Sequence, residues 1–161
     1  GGGVIEPLTG QSMMVLRHPR LEAEAYEEGS ASKMSITPDM VPGLEEDMGI
    51  VIGQKDSFMM FKDLDLTGVK AIGGTFAVTS AFVKGGQVEI RIGGLEGELI
   101  GTITIEVALA GMDMESLAAT LTKEIIGRHD VYFIFKNDDE DAGSMLTAVD
   151  RIEFFNKAVD D

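Results

Sequence analysis

The sequence predicts an all-β protein, built as a sandwich or a barrel. Residues 86–107 show apolar side chains alternating with polar ones on both sides of a glycine-rich turn, which is typical of an antiparallel strand pair with one buried face. Other short segments of strand character follow one another at close spacing, with turn residues between them. The length of 161 residues suits one domain with a proper core.

The individual elements follow from local pattern. Residues 13–16 are a candidate first strand, and residues 21–26 (LEAEAY) predict a short strand with its glutamates on one face. Residues 27–47 are polar and rich in Pro, Gly and Ser, and they predict a long loop of a kind that is often functional. Further strands are predicted at 58–62, 75–80, 88–92, 103–107, 131–136 and 151–155.

One segment fits two structures. Between Met114 and Ile125 the apolar residues fall at helical spacing, with Asp113 as an N-cap and Gly127 just beyond the end. On this local pattern alone, a helix and an extended segment remain alternatives for residues 113–127.

Composition excludes several functions. The chain has 13 basic and 28 acidic residues, a net charge of −15, so it repels nucleic-acid phosphates and anionic lipid. No apolar run is long enough to insert into a membrane. The absence of cysteine excludes a thiol nucleophile, a disulfide scaffold and a thiolate zinc site.

Four segments together resemble the family 6 carbohydrate-binding modules. They are residues 21–26, residues 58–77, residues 85–105, and residues 126–137 followed by 149–155 (VDRIEFF). The resemblance implies a galactose-binding-domain-like jelly-roll β-sandwich of two antiparallel sheets, which binds glycans and holds a structural calcium ion. It also implies that residues 113–127 form a loop plus an edge strand, because tertiary context overrides helix propensity.

The predicted organisation is a flexible lead-in (1–12), one domain (13–156) and a flexible tail (157–161). The chain begins GGGVIEP, with neither Met nor a signal peptide, and we expect it to be a piece of a longer polypeptide. Family resemblance implies an extracellular, periplasmic or cell-surface location in a bacterial protein with further domains.

Calcium binding is predicted at three carboxylates. Glu22 and Glu24 lie two apart on the predicted strand and so project from one face, and calcium favours several carboxylate oxygens. The resemblance adds Asp150, which precedes the last strand. The alternative is that the two glutamates form the solvent face of a strand. The acidic loop 137–143 departs from an EF-hand at its sixth and twelfth positions and is interpreted as a solvated loop.

The sugar site departs from the family pattern. The places where such modules present aromatic rings and an Asn hold Ile52, then Met112 or Met114, then Ala148, and the chain has no Trp. Met112 and Met114 are candidates for an apolar platform. The candidate partners of sugar hydroxyls share a polar side chain at the same predicted loop edge: Gln54, Lys55, Asp113, Glu115 and Asn137.

The predicted function is that of a non-catalytic carbohydrate-binding module, an accessory part of a larger secreted polysaccharide-active protein that binds a polysaccharide or oligosaccharide. The alternative is a degenerate module of the same fold that serves as a structural or partner-binding domain without sugar binding. The sequence contains no catalytic motif that indicates an enzyme. A side-chain ring exposed at the loop edge would favour the first function, because sugars stack on such rings.

Overall fold

Short β-strands make up most of the computed structural model of this chain, which describes residues 20–39, 45–80, 82–108 and 114–158. In chain order the strands are β1 (Arg20–Glu22), β2 (Glu28–Gly29), β3 (Ser32–Ile36), β4 (Met48–Gln54), β5 (Phe58–Asp65), β6 (Ala71–Ala77), β7 (Gly86–Ile92), β8 (Glu98–Ile105), β9 (Met114–Thr120), β10 (Arg128–Lys136) and β11 (Met145–Phe155). A 3₁₀ helix (Ala23–Ala25) follows β1.

The strands form two sheets. One has six strands, in the order β3-β4-β11-β6-β9 with β1 also paired to β11, and the other has five, in the order β2-β5-β10-β7-β8. Every pairing between these strands is antiparallel. The predicted all-β sandwich of two antiparallel sheets is therefore confirmed.

The core lies between the two sheets. Alternate residues of each strand point inward, as the period-two pattern requires. The inward positions of β10 are Val131, Phe133 and Phe135, all 0% exposed, and they face Phe76 and Phe154 of the other sheet within one apolar cluster. Burial of such large side chains is the main force that holds the two layers together.

Several strand predictions are confirmed with adjusted ends. The pair around the glycine-rich turn forms as β7 and β8, with Val88 directly opposite Ile103. The segment with two possible structures is the edge strand β9, which pairs with β6 from Ala71–Thr120 to Ala77–Met114. Because these cross-strand bonds satisfy the backbone, the helical spacing of its side chains does not decide its structure.

Two local predictions are wrong. Residues 21–26 do not form one strand, because β1 ends at Glu22 and the chain turns into the 3₁₀ helix. Residues 27–47 are not one long loop, since β2 and β3 lie within them. The polar segment SKMSI becomes β3 because it pairs with β4 at the sheet edge and leaves most of its side chains in solvent.

Some predictions fall outside the described residues. These are the lead-in 1–12, the candidate strand 13–16 and most of the tail 157–161, so the predicted domain bounds stay a prediction. Within the part of the chain that the structure describes, no helix has the length and apolar character needed to cross a membrane.

We expect Gly53→Ala to destabilise the fold. A Cβ atom at Gly53 would collide with the ring of Phe135, which is 0% exposed in the core. Overpacking of this kind costs about 1–3 kcal/mol in the free energy of unfolding, measurable by urea denaturation. Gly94→Ala is the control, because nothing lies within 4 Å of its Cβ position. Equal stability of both variants and the wild type would contradict this packing.

We also expect a pH-dependent contribution from Asp65. The backbone N–H of Thr67 donates to Asp65 Oδ1 at 3.0 Å, and this bond, with a further one from the Thr67 side chain, holds the pKa of Asp65 below its usual 3.8. A lowered carboxyl pKa stabilises the fold above the unfolded pKa, and this contribution is lost as pH falls through the folded pKa. Asp65→Asn should therefore lower the melting temperature at neutral pH, and the difference from the wild type should shrink below pH 3.8. A difference that stays constant across that range would contradict the assignment.

Candidate functional site

Three of the predicted polar residues of the loop edge, Gln54, Lys55 and Asn137, lie at one end of the sandwich. Gln54 ends β4, and Lys55 follows it and donates its backbone N–H to Ser144 O at 2.8 Å. Asn137 follows β10, and its Nδ2 donates to Gly85 O at 2.9 Å. Gly85 in turn donates to Leu146 O at 2.8 Å, which ties these loops together.

The structure describes only some of the remaining predicted residues. Met114 is the first residue of β9, opposite Ala77, and its side chain is half-buried. Met112 and Asp113 lie outside the described residues. Asn137 holds its own loop, since Oδ1 also accepts the backbone N–H of Asp139 at 2.9 Å. Both polar atoms of the Asn137 amide therefore already form hydrogen bonds within the protein, and a sugar hydroxyl would have to share them.

Two of the positions where the family pattern calls for a ring or an amide are direct neighbours. Ile52 on β4 pairs with Ala148 on β11. Ala148 is 7% exposed, and neither side chain offers a ring or a hydrogen bond to a sugar. The departure from the family pattern that the sequence shows at positions 52 and 148 is therefore also present in the structure.

A ring is nevertheless exposed at this end. Phe82, in the segment between β6 and β7, is 59% exposed. The alternating pattern does not single out Phe82, because this residue lies beyond the predicted strand 75–80 and before the glycines at 85 and 86. A lone aromatic residue between two strands was the signal that could have found it.

A cleft of about 340 Å³ lies on the outward face of the five-stranded sheet. Ile134 of β10 lies at its base, on the outward face of the sheet because Phe133 and Phe135 point inward, and it is 5% exposed. The walls consist of Asp56, Glu89, Arg91, Leu95, Glu96 and Lys136, and Leu95 is 46% exposed.

A fixed ion pair lines this cleft. Arg91 Nε donates to Glu89 Oε1 at 3.1 Å, and Arg91 Nη2 lies 3.1 Å from the same oxygen. Arg91 Nη1 donates to Gly97 O at 2.8 Å, which holds the guanidinium against the β7–β8 turn. A guanidinium has five N–H groups, so these contacts leave donors for a ligand, and Glu89 Oε2 remains as an acceptor.

Aromatic rings adjoin the cleft. Phe58 is the cross-strand neighbour of Ile134, and its ring stacks with Tyr132 at a centroid distance of 6.0 Å and an interplanar angle of 29°. Both rings are half-buried on the outward face. They extend the apolar floor and leave part of their surface accessible.

Asp56 at the rim has a backbone conformation that L-residues rarely adopt, with φ of 68°. Its carboxylate lies 3.5 Å from Lys136 Nζ and 3.9 Å from Lys55 Nζ. Residues in such sparsely populated conformations concentrate at ligand sites. The turn between β4 and β5 therefore presents an exposed carboxylate at the rim of the cleft.

The predicted metal ligands are separated by the turn after β1. Glu22 pairs with Arg151, next to Asp150, whereas Glu24 lies in the 3₁₀ helix, so the two glutamates do not project from one strand face. Asp150 Oδ2 lies 3.6 Å from Arg151 Nη1. Within the described ranges, no group of three or more His, Cys, Asp or Glu residues lies close enough to hold a metal ion.

Glu24 nevertheless has a distinctive position. Its carboxylate lies directly over the Cα atom of Gly49, where any larger residue would collide with it. Glu24 and Gly49 line a cavity of about 470 Å³ together with Lys33, Ser35 and Asp47. The carboxylates of Glu24 and Asp47 therefore belong to one site beside β3 and β4.

Comparison with protein families decides the assignment. A model of the family described as carbohydrate binding module (family 6) matches residues 22–156. The chain belongs to this family. It is a carbohydrate-binding module of the non-catalytic kind, and the predicted recognition and function are confirmed at this level.

Solved structures show the same fold. The module superposes on CsCBM6-3 from Clostridium stercorarium in complex with cellobiose with a TM-score of 0.64 at 17% identity, covering 86% of this chain and 93% of the other. A β-1,3-glucan-binding module of the same family from Bacillus halodurans gives 0.66 at 19%, covering 84% and 93%.

A family 43 arabinoxylan arabinofuranohydrolase from Bacillus subtilis gives a TM-score of 0.67 at 20% identity, covering 86% of this chain and 27% of the enzyme. In that protein a domain with this fold is one part of a larger enzyme. No curated protein matches the module.

Proposed function

We propose that the module binds a neutral polysaccharide or oligosaccharide in the cleft on the outward face of its five-stranded sheet. The observation that carries this proposal is the Arg91–Glu89 pair, which lines the same cleft as the exposed apolar side chain of Leu95. Sugars present both apolar C–H faces and hydroxyl groups, so their sites combine an apolar surface with a few oriented polar groups. This cleft has both.

Charge favours a neutral ligand. The lining combines the cations Arg91 and Lys136 with the three carboxylates of Asp56, Glu89 and Glu96. The whole chain carries −15, so a glycan rich in uronic acid or sulfate is repelled as it approaches. The cellobiose-bound and β-1,3-glucan-binding neighbours support the choice, since these are uncharged sugars.

The biological role that we propose is that of an accessory domain. Attached to a secreted bacterial polysaccharide-active protein, the module would keep its partner domain at the substrate. The arabinofuranohydrolase supports this, because a domain of this fold occupies about a quarter of that chain (27%). Tethering raises the effective concentration of an attached catalytic domain at an insoluble substrate.

Removing the cleft's cation should weaken glycan binding. We expect Arg91→Ala to lower the affinity roughly tenfold or more, because it removes ligand donors and releases Glu89 from its fixed position. Isothermal titration against cello-oligosaccharides, soluble β-1,3-glucan and xylan measures this. Polygalacturonate should bind more weakly than any neutral ligand that is recognised.

The matched control is Arg128→Ala. Arg128 belongs to the same sheet and pairs with Asp63 at 3.0 Å, but its side chain is 61% exposed and lies outside the cleft. It should leave the affinity unchanged. If Arg91→Ala melts like the wild type and still binds with wild-type affinity, the cleft is not the site. Lys136→Ala, at the exposed rim, tests the same cleft with less risk to folding.

We also propose a structural calcium ion at Glu22, Glu24 and Asp150. Two features support it: β1 pairs with β11 next to Asp150, and the Glu24 carboxylate is held over Gly49. As placed, the three carboxylates do not converge, so binding requires the exposed side chains of Glu22 and Glu24 to move. An ion there would link β1 and β11 with β4.

Thorough chelation should lower the melting temperature, and added calcium should restore it. A ligand bound only by the folded state stabilises it by about 2.7 kcal/mol at roughly a hundredfold excess over Kd. Glu24→Gln should abolish this calcium response. Glu28→Gln, whose exposed carboxylate lies near Lys62, should retain it. A melting temperature that does not change on chelation would refute the proposal.

A further inference from the structure

The edge strand β3 places its apolar residues on the side of the sheet that faces away from the core. It pairs with β4 in a fixed register, in which Lys33 lies opposite Val51 and Met34 lies opposite Ile50. Val51 is 0% exposed and belongs to the core, so its cross-strand neighbour Lys33 is on the core side. Met34 therefore points outward, and so does Ile36, because side chains alternate along a strand.

The neighbouring strand β4 is apolar on both of its faces. Val51 fills the core, whereas the adjacent residues Ile50 and Ile52 point outward. A strand with one buried face alternates between apolar and polar residues, whereas a strand that is buried on both faces is apolar throughout. The outward apolar residues of β3 and β4, with the residue of β11 that pairs with Ile52, form a surface that we call the outer apolar face: Met34, Ile36, Met48, Ile50, Ile52 and Ala148.

The outer apolar face is closed at its centre and open at β3. Ile50 is 3% exposed and Ala148 is 7% exposed, although neither belongs to the apolar cluster between the two sheets. Met34 is 43% exposed, and Ile36 and Met48, which pair with each other, are half-buried. β3 is the terminal strand of its sheet, and among the described residues no further strand pairs with its outer edge. The apolar surface is therefore continuous up to that edge.

The lysine of β3 does not protect this edge. Edge strands commonly carry a lysine that prevents pairing with other chains. Lys33 instead lies on the core side, where its Nζ is 4.3 Å from the centre of the Tyr26 ring and donates to Tyr26 O at 3.4 Å. The outward residues of β3 are Ser32, Met34 and Ile36, which carry no charge. The outward side of the edge therefore lacks the usual protection against an added strand.

Acidic residues flank the outer apolar face. The residues that follow β3 and precede β4 include four exposed carboxylates: Asp39, Glu45, Glu46 and Asp47. Asp47 lines the same cavity as Met34. An exposed apolar patch with a polar rim is typical of a protein-binding site, and a rim of one charge favours a partner of the opposite charge. A second copy of this chain, with a net charge of −15, is disfavoured for the same reason.

We propose that the outer apolar face binds an extended segment of a partner protein, which adds a strand to the free edge of β3. The segment has apolar residues at alternate positions, which cover Met34 and Ile36, and lysine or arginine at its ends, which pair with the acids at 45–47. Strand addition of this kind supplies main-chain hydrogen bonds for affinity and side-chain contacts for specificity. This surface is independent of the proposed glycan cleft, which belongs to the other sheet.

Two synthetic peptides with blocked ends test this binding on the whole chain. One is Lys-Val-Thr-Val-Thr-Val-Lys, and the other has Glu in place of both Lys residues. An NMR titration measures the affinity from the amide shifts and locates the site. We expect the lysine peptide to shift the amides of Ser32–Ile36 and to bind roughly tenfold or more tightly than the glutamate peptide at low salt. Added salt should reduce that difference, because it screens the charges.

Substitution of Met34 should remove the binding. Met34→Lys removes the exposed apolar side chain and places a like charge against the lysine peptide, so the shifts in β3 should disappear. Met34→Ser, which adds no charge, should weaken binding by less. Ile126→Lys is the matched control, since it makes the same change of charge at an apolar residue that is 62% exposed in the turn before β10. It should bind the lysine peptide as the wild type does.

Shifts in β3 and β4 that are lost in Met34→Lys and kept in Ile126→Lys support a strand-binding edge. A lysine peptide that binds elsewhere, or that leaves the β3 amides unchanged at millimolar concentration, overturns it. A wild-type dimer that Met34→Lys dissociates, measured by sedimentation, assigns the face to a second copy and also overturns it. Glycan binding that Met34→Lys removes assigns the face to a sugar, with the same consequence.

Discussion

The structure depends on one strand more than on any other. β11 runs for 11 residues and pairs on one side with β4 and β1 and on the other with β6. Its inward side chains Leu146, Val149, Ile152 and Phe154 are almost fully buried. Because one strand satisfies the backbone groups of three others and also fills the core, the six-stranded sheet cannot form without it.

The same strand organises the loop end. Its first residues accept hydrogen bonds from Lys84 and Gly85, and these bonds fix the segment that carries Phe82. Thr147, also on β11, donates to Ala77 O at 2.8 Å and closes the end of β6. The segment that carries the exposed Phe82 ring is thus bonded to the sheet framework, which is the usual way that rigid scaffolds position loops.

The two sheets carry different kinds of surface. On the five-stranded sheet, the apolar residues of β7 point into the core. The polar residues that alternate with them, Glu89 and Arg91, point outward and line the cleft. On the six-stranded sheet, the outward positions 52 and 148 hold an isoleucine and an alanine, which offer neither a ring nor a hydrogen bond.

Much of the fold could be predicted from the sequence, because strand alternation is a local property. A buried strand face is predicted by the alternation of Val88, Ile90 and Ile92 with polar residues, whatever sheet the strand joins, and all three are buried. The segments least visible in sequence are those whose structure depends on a neighbour. β3 is polar and forms because β4 offers an unpaired edge, and β9 has helical spacing but pairs with β6.

The sequence by itself determined the class of the protein: an all-β sandwich with the motifs of a carbohydrate-binding module and a net charge of −15. Only the tertiary structure decided the candidate sites. The Arg91–Glu89 pair lines a cleft because the β7–β8 turn, whose Gly97 O accepts a hydrogen bond from Arg91, places Leu95 and Glu96 beside the same sheet face. Such placements depend on contacts between residues far apart in the chain, and a local pattern does not contain them.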